Sequence, residues 1–355
     1  MDNTMESTNN FLNWVEIKNF KSIKDLRLDC KRVNVFIGKP NVGKSNILEG
    51  LGLLGANYSD DKYLSGAIRY EDVRDLFTDN DPEHPIQITT NQLSAELKQD
   101  NYFEDPTEKS FMLTRRSNID SSSNRSFTIK NKGKVTTVGA GIFSNRGERD
   151  HFDTYRTSPV KKYDFLSLNT FDSTFSQYLL PPGGPNLYEI VRRNKDLWSE
   201  FAKLFTEQQL ELVLFDAKQE FILQKKEGPY VKQYPFFSIA DTFRRYMFYI
   251  SAIESNKDSV LIFEEPEVHS FPPYTQSLAY RMIYDEDNQY FISTHSPYML
   301  HPFIAKMDYS DLNVFITYYH DYQTKVKALT QEEFRDILDY STNVFFNLNK
   351  FEPNA

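Results

Sequence analysis

The segment "VNVFIGKPNVGKSN" at residues 33–46 limits the possible folds of this chain more than any other. A continuous apolar run, as expected of a buried strand, leads into Gly38, and a second glycine, Gly43, is followed directly by Lys44 and Ser45. The next stretch, "KSNILEGLGLLGA", places apolar side chains at helical spacing. The pattern G-x-x-x-x-G-K-[ST] between a buried strand and a helix is typical of a loop that cradles phosphates.

The residue types of this loop account for its chemistry. Glycines let the backbone curl so that successive N–H groups point at phosphate oxygens, and the following helix aims its positive end at the same anion. Lys44 is expected to reach the terminal phosphates, and the Ser45 hydroxyl is a hard oxygen ligand suited to Mg²⁺. The predicted nucleotide-binding residues of this segment are Gly38, Asn41, Val42, Gly43, Lys44, Ser45 and Asn46.

A second apolar run, "SVLIFEEPEVH", ends in two acids, Glu264 and Glu265. At the end of a strand, one acid can lie beside a metal ion and the next beside an attacking water. We predict that Glu264 holds Mg²⁺ together with Ser45, and that Glu265 polarises the water, a role that contributes roughly 10²–10⁴-fold to the rate. The alternative is a pair of surface acids that simply ends a strand.

A third apolar run, "YFISTHSPYML", ends at Ser293, Thr294 and His295. A histidine at this point can hydrogen-bond the terminal phosphate or the attacking water, although a single histidine is more often a surface or capping residue. Ligands bind at the carboxyl ends of strands in open α/β sheets, and three strand ends here carry reactive side chains. We therefore predict that His295 is catalytic.

The composition excludes several classes of protein. The chain has 355 residues, a net charge of −9 and a single cysteine, Cys30, so it has no internal disulfide and is not a strongly basic nucleic-acid coat. No window approaches the roughly 18 apolar residues that a membrane span needs. The polar start, "MDNTMESTNN", does not resemble a secretion signal. We expect a cytoplasmic protein without a membrane partner, with Cys30 as a packing residue.

The alternation of strands and helices at both ends of the chain predicts an α/β fold with a parallel sheet. Residues 1–60 and 205–355 are predicted to form one discontinuous head domain, and residues 61–204 an inserted β-rich and helical lobe. Within that lobe we expect a hairpin that turns at Lys132-Gly133 and one helix over "NLYEIVRRNKDLWSEFAKLF", residues 186–205.

Taken in order, these segments resemble the ABC-class ATPase heads of SMC-like proteins and of overcoming-lysogenization-defect (OLD) nucleases, and especially standalone heads of the AAA-15/AAA-21 type. "IKNFKSIKDLRL" is similar to the opening strand pair, "FIGKPNVGKSNILEGL" to Walker A, "LIFEEPEVHS" to Walker B and "FISTHSP" to the histidine switch. The resemblance implies an ABC-type P-loop ATPase head with a mixed sheet that uses ATP and Mg²⁺. It also implies a head-to-head homodimer or a higher homo-oligomer.

In that class a serine at the start of a helix contacts the nucleotide held by the other subunit. The matching stretch is "FFSIADTFRR", with Ser238 in the serine position, acting in trans, and Ala240 where glycine is usual. Glu264 stands where aspartate is usual, and Gln92 is considered for the Q-loop glutamine but not assigned to it. These departures favour slow turnover.

The resemblance also bears on the partner. The chain carries neither the nuclease domain of the OLD proteins nor the coiled coils of SMC-like proteins. We therefore expect an ATP switch that regulates an effector, a nuclease or toxin in a separate chain, in anti-phage defence.

Two other functions stay open, an ATP-binding scaffold with little turnover and a DNA-repair ATPase. DNA contact would rest on a set of basic residues that could equally be a solvated face: Arg115, Arg116, Arg125, Lys130, Lys132, Lys134, Arg146 and Arg149. A GTPase is not supported, because no convincing N-K-x-D tetrapeptide follows the loop.

Overall fold

The structure is a computed structural model that describes residues 9–55, 67–100, 110–117, 125–130, 135–139, 158–339 and 344–353. Its strands are β1 Trp14–Phe20, β2 Ile23–Asp29, β3 Val33–Ile37, β4 Ile86–Thr90, β5 Leu93–Asp100, β6 Ser110–Ser117, β7 Arg125–Lys130, β8 Val135–Gly139, β9 Val160–Tyr163, β10 Glu211–Phe215, β11 Glu220–Glu227, β12 Tyr230–Pro235, β13 Ser259–Glu264, β14 Asn288–Ser293, β15 Leu312–His320 and β16 Gln323–Ala328. Its helices are α1 Lys44–Gly55, α2 Leu187–Arg193, α3 Lys195–Lys203, α4 Asp241–Ser255, α5 Pro272–Tyr284, α6 Pro297–Lys306, α7 Gln331–Asp339 and α8 Leu348–Phe351.

The central sheet has the strand order β16-β15-β3-β14-β13-β9. Its strands are parallel except β16, which pairs antiparallel with β15. The apolar runs before the phosphate loop, the two acids and the histidine become β3, β13 and β14, which are neighbours in this sheet. Because parallel strands end at the same edge, the three predicted parts of the site meet there.

Two antiparallel sheets complete the fold, one in the order β2-β1-β4-β5-β6-β7-β8 and a small one in the order β10-β11-β12. Helix α1 packs between the seven-stranded sheet and the central sheet. The mixed α/β architecture predicted for an ABC-type ATPase head is confirmed.

Strand β13 shows how the sequence builds the two cores on either side of the central sheet. Successive side chains of a strand point to opposite faces. Val260 and Ile262 pack with α1 and β1, whereas Leu261 and Phe263 pack with Met247 of α4. A strand buried on both faces has an uninterrupted apolar sequence, which explains why these segments stood out.

The sheets cross the boundaries predicted for the inserted lobe, residues 61–204. Strands β4 to β8 lie inside that range but continue the sheet begun by β1 and β2. Strand β9 also lies inside it and forms the edge of the central sheet. The division into a head and a lobe therefore does not coincide with the sheets, and it stays a prediction.

The single helix predicted over residues 186–205 is wrong in one respect, because the chain forms α2 and α3 with a break at Asn194. The Asn194 side chain accepts hydrogen bonds from the N–H groups of Asp196 and Leu197. Asparagine is a strong helix N-cap because its side chain satisfies the free N–H groups of the first turn. The cap starts a new helix where the apolar spacing alone suggested continuity.

The hairpin turn predicted at Lys132-Gly133 lies outside the described residues. Cys30 is a partly buried free cysteine, and burial, reinforced by Asp29, raises the pKa of its thiol far above the ordinary value. A protonated thiol is a poor nucleophile, in agreement with a packing role.

Within the described ranges, no helix combines the length and the apolar character that a membrane crossing requires.

Candidate nucleotide-binding site

The phosphate loop connects β3 to α1 and is shaped by backbone conformations that glycine favours. Gly43 has a φ of 97°, and Asn41, at φ 60°, adopts the left-handed conformation that asparagine tolerates. A Cβ atom at Gly43 would lie 1.9 Å from Thr324 Oγ1. Gly43 is therefore required both by its backbone angle and by the close approach of the β15–β16 hairpin.

Lys44 begins α1 and folds back over the loop. Its Nζ donates hydrogen bonds to the carbonyl oxygens of Gly38, at 3.0 Å, and Lys39, at 2.9 Å. Burial lowers the pKa of Lys44, while Glu265 and Glu264 act in the opposite direction. The ammonium thus contacts the loop backbone and lies within electrostatic reach of the two acids.

A chain of hydrogen bonds between three side chains, two hydroxyls and one amide, holds the phosphate loop in position. Asn46 Nδ2 donates to Ser22 Oγ at 2.7 Å, and Ser22 Oγ lies 2.6 Å from Thr324 Oγ1. Thr324 in turn donates to the carbonyl oxygen of Val42 at 2.9 Å. Asn46 and Val42, both predicted to bind nucleotide, thereby contact the β1–β2 turn and the β15–β16 hairpin, so the loop shape depends on segments distant in sequence.

Glu264 ends β13 and lies beside Ser45. The Ser45 hydroxyl is close enough to the Glu264 carboxylate to lower the pKa of that acid. Two cations also approach Glu264, with Lys162 Nζ 3.3 Å from Oε2 and Arg69 Nη2 3.2 Å from Oε1. Burial alone would raise the pKa of Glu264, but Lys162, the Ser45 hydroxyl and Arg69 outweigh burial and lower it. Glu264 is therefore a carboxylate at neutral pH.

Glu265 follows in a left-handed conformation, φ 44°, and its N–H donates to the Ser293 carbonyl oxygen at 3.0 Å. This bond holds the end of β13 against β14 and turns the Glu265 side chain toward His295, whose Nε2 lies 3.3 Å from Glu265 Oε1. Burial lowers the pKa of His295 below its ordinary value of 6.5, Lys44 lowers it further and Glu265 opposes the shift. His295 is therefore neutral at pH 7.

Glu267, which the sequence analysis missed, fixes the histidine segment. Its Oε1 accepts hydrogen bonds from Thr294 Oγ1 at 2.6 Å and from the N–H of His295 at 2.8 Å. Burial raises the pKa of Glu267. An acid three residues after Glu264 has no distinctive pattern in sequence, and only the contact between the β13 and β14 ends gives it this position.

Three charged residues from the predicted lobe also reach the site. Lys162 lies on β9 beside β13, and Arg69 joins Glu264 to the buried Glu49 of α1, 2.7 Å from Arg69 Nε. Asp164 follows β9, and burial raises the pKa of its carboxyl, with Glu264 adding to the effect and Lys162 opposing it. No motif marks these residues. The pairing of β9 with β13 brings Lys162 and Asp164 to the site, whereas the ion pair with Glu49 of α1 holds Arg69 there.

Gln92, which was considered but not assigned, and Ser238, which was predicted to bind nucleotide in trans, lie elsewhere. Gln92 donates through Nε2 to the carbonyl oxygens of Asn9, at 2.6 Å, and Phe11, at 3.2 Å, so its contacts are with the N-terminal segment. Ser238 lies in an exposed turn before α4, where its hydroxyl donates to the Pro235 carbonyl oxygen at 2.6 Å. The structure thus brings together the loop, Glu264, Glu265 and His295, and it leaves Ser238 on the surface.

The donor set fits magnesium. Ser45 and Glu264 present a hydroxyl and a carboxylate at one point, and Mg²⁺ prefers hard oxygen ligands and retains several waters. Across the described ranges, no group of three or more His, Cys, Asp or Glu side chains could hold a metal.

Three solved structures are similar to this chain. A chain titled as the SmcHead bound to the C-winged helix domain of ScpA has a TM-score of 0.50 and 15% identity, covering 91% of this chain and 99% of its own. An Smc head domain with an extended coiled coil, bound to the C-terminal domain of ScpA from Pyrococcus furiosus, has a TM-score of 0.48 and 13% identity. The match covers 93% of this chain and 99% of the other. The SMC head domain from Thermotoga maritima has a TM-score of 0.39 and 11% identity, and the match covers 90% of this chain and 99% of the other.

The first of these likenesses establishes the fold alone. No curated protein matches the chain. The family model AAA_15, described as an AAA ATPase domain, matches residues 11–230, which contain the phosphate loop, Arg69 and Lys162 but not the acids of β13 or His295. With a match over more than half of its length, the chain belongs to the AAA_15 family of AAA ATPase domains.

Proposed function

We propose that this protein is an Mg²⁺-dependent ATP-binding and ATP-hydrolysing switch. The proposal is carried by one observation: the pair Glu265–His295, 3.3 Å apart, lies at the same sheet edge as Lys44 and the Ser45–Glu264 contact. A polarising acid, a neutral hydrogen-bonding ring, a phosphate-binding cation and a metal-ligand pair are the groups that phosphoryl transfer to water needs.

Each side chain has a distinct role in this proposal. The loop N–H groups and Lys44 hold the β and γ phosphates, and Ser45 and Glu264 hold the ion, which when bound neutralises charge on the phosphates. Glu265 accepts a hydrogen bond from the attacking water and polarises it. Neutral His295 orients that water or the γ phosphate, so its lowered pKa keeps the ring in the required form at pH 7.

The ATPase proposal is tested by phosphate release from wild type and two variants. Glu265→Gln should lose release while keeping ATP binding, because the amide cannot polarise the water. Lys44→Ala should lose ATP binding and keep its far-UV circular dichroism. Equal, background-level release from wild type and Glu265→Gln would eliminate catalysis, and undiminished ATP affinity in Lys44→Ala would refute the site.

We further propose a head-to-head homodimer in which Ser238 contacts the nucleotide of the other subunit. The exposure of Ser238 supports this, as does Phe237 beside it, whose side chain is 61% exposed. In analytical ultracentrifugation with ATP, the Glu265→Gln protein should sediment as a dimer, and adding the Ser238→Arg substitution should return it to a monomer. If the Glu265→Gln protein is a monomer both with and without ATP, the arrangement is refuted.

The effector is proposed from resemblance, as a nuclease or toxin controlled in anti-phage defence. The titled complex of an Smc head with part of ScpA offers an example of this fold bound to a separate protein. Inspection of the neighbouring genes is the direct test. A co-encoded nuclease would support defence, and its absence would favour a DNA-repair ATPase instead.

A scaffold that holds ATP with little turnover is the second candidate. It is favoured by Lys162 and Arg69, which already neutralise Glu264, and by Ala240 at the N-cap of α4 in place of glycine. Tight ATP binding with phosphate release no faster than in Glu265→Gln would select this function.

DNA contact stays a prediction. Arg115 and Arg116 lie on β6, and Arg125 and Lys130 on β7, while Lys132, Lys134, Arg146 and Arg149 lie outside the described residues. Salt-sensitive duplex binding that charge reversal at Lys130, Lys132 and Lys134 removes would support it.

A further inference from the structure

Two consecutive lysines on the edge strand β9 are buried, Lys161 at 6% exposure and Lys162 at 7%. Successive strand residues point in opposite directions, and Lys162 reaches Glu264 at the nucleotide site. Lys161 instead donates to Ser259 Oγ at 2.8 Å, at the start of β13, and its Nζ lies 4.4 Å from the centre of the Tyr178 ring. In the part of the chain that the structure describes, no ion pair involves Lys161.

Lys161 lines a cavity of about 640 Å³ at the amino ends of β9 and β13, the sheet edge opposite the nucleotide site. The cavity wall is mainly polar and includes Arg193, Asn256 and Ser259. Its volume is in the range of small-molecule pockets, roughly 300–1,000 Å³.

The two acids of this cavity wall are already bound by other residues. Asp258 accepts hydrogen bonds from the Asn10 N–H, at 2.7 Å, and from Asn10 Nδ2, at 2.8 Å. Glu254 accepts from Arg281 at 2.7 Å. Burial lowers the pKa of Lys161 to about 8, and Asp258 only partly opposes it. A buried ammonium is unfavourable unless an anion pairs with it, so the cavity is suited to receive one.

The Asn256 side chain also lines the cavity. Its Nδ2 donates to Tyr163 Oη at 2.8 Å and to the Ala252 carbonyl oxygen at 2.7 Å. Its Oδ1 has no hydrogen-bond partner among the described residues, but this atom is fully buried and shielded from the cavity. The charged group that the cavity offers to a ligand is therefore Lys161.

We propose that this cavity binds a small organic anion, a phosphate ester or a carboxylate, and that Lys161 pairs with the anionic group. Ser259 and Tyr178 hold the lysine in position. The site is separate from the nucleotide site and does not depend on the ATPase proposal.

The first test is protection of Lys161 from acetic anhydride, followed by mass spectrometry. It uses the Lys44→Ala protein, so that the phosphate loop does not compete for the probe. Inorganic phosphate or acetate at ten times its dissociation constant should slow acetylation of Lys161 roughly tenfold and leave the exposed Lys306 unchanged. Protection by phosphate assigns a phosphoryl ligand and protection by acetate a carboxylate. Protection by neither overturns the proposal.

The second test measures binding of the protecting probe by calorimetry in the same Lys44→Ala background. Lys161→Met should weaken binding roughly tenfold or more, the worth of one charged hydrogen bond, whereas Lys306→Met should not. Unchanged binding in folded Lys161→Met would overturn the proposal. If that variant does not fold, the labelling test still decides, because it keeps Lys161.

Discussion

Replacing Glu267 by alanine should cost about 3 kcal/mol of folding free energy. The change leaves two hydrogen-bond donors without an acceptor, the Thr294 hydroxyl at 2.6 Å and the His295 N–H at 2.8 Å. A buried donor without a partner costs about 1–3 kcal/mol. Thr294 is fully buried, so water cannot replace the lost acceptor on that side. Urea denaturation at pH 7 measures the effect.

Glu267→Gln is the matched control because it keeps an acceptor oxygen. We expect it to stay within about 1 kcal/mol of wild type, since the loss of a buried charge offsets the burial of an unpartnered NH₂ group. Phosphate release should follow the same order, with alanine worse than glutamine, because Glu267 positions the His295 backbone. Equal destabilisation by the two variants would refute the reasoning.

The pH dependence of this pair has a definite sign. The folded pKa of Glu267 is raised above its ordinary value of 4.5, so the folded state binds the proton more tightly than the unfolded state. Wild type should therefore gain stability relative to Glu267→Gln as the pH falls from the raised pKa toward 4.5. A difference that is constant or opposite in sign would show that the carboxyl is not held in this environment.

Three further predictions concern the nucleotide site. Gly43→Ala should lower the free energy of unfolding by about 2 kcal/mol and weaken ATP binding, because the added Cβ would lie 1.9 Å from Thr324 Oγ1. Thermal melts and ATP titration measure the two effects, and an unchanged stability and affinity would contradict the prediction. Lys162→Met should lower the free energy of unfolding by about 2 kcal/mol at pH 7, because it removes the ion pair with Glu264. The difference from wild type should shrink below pH 4.5, as Glu264 protonates through its lowered pKa. Urea melts at several pH values measure this, and a difference that does not change with pH would show that the ion pair is absent. Phosphate release should persist below pH 6.5, because the lowered pKa of His295 keeps the ring neutral there, and a loss centred at 6.5 would argue against it.

The elements that carry the site were predictable from the order of the residues. The phosphate loop, the two acids at the end of β13 and the histidine after β14 stand out because a strand buried on both faces has an unbroken apolar sequence and a polar residue at its end is easily seen. Loop chemistry likewise follows from local residue types. The break at Asn194 was missed because capping competes with apolar spacing and only one side chain decides between them.

Which further charges act on the site depends on contacts between segments that are distant in sequence. Lys162, Arg69 and Glu267 come from segments with no recognisable motif. Lys162 reaches Glu264 through the pairing of β9 with β13, Arg69 through its ion pair with Glu49 of α1, and Glu267 reaches His295 through the contact between the β13 and β14 ends. Electrostatic effects depend on distance and burial rather than on order along the chain. For that reason the protonation states of the acids and the histidine are properties of the folded sheet edge and could not be assigned from the sequence.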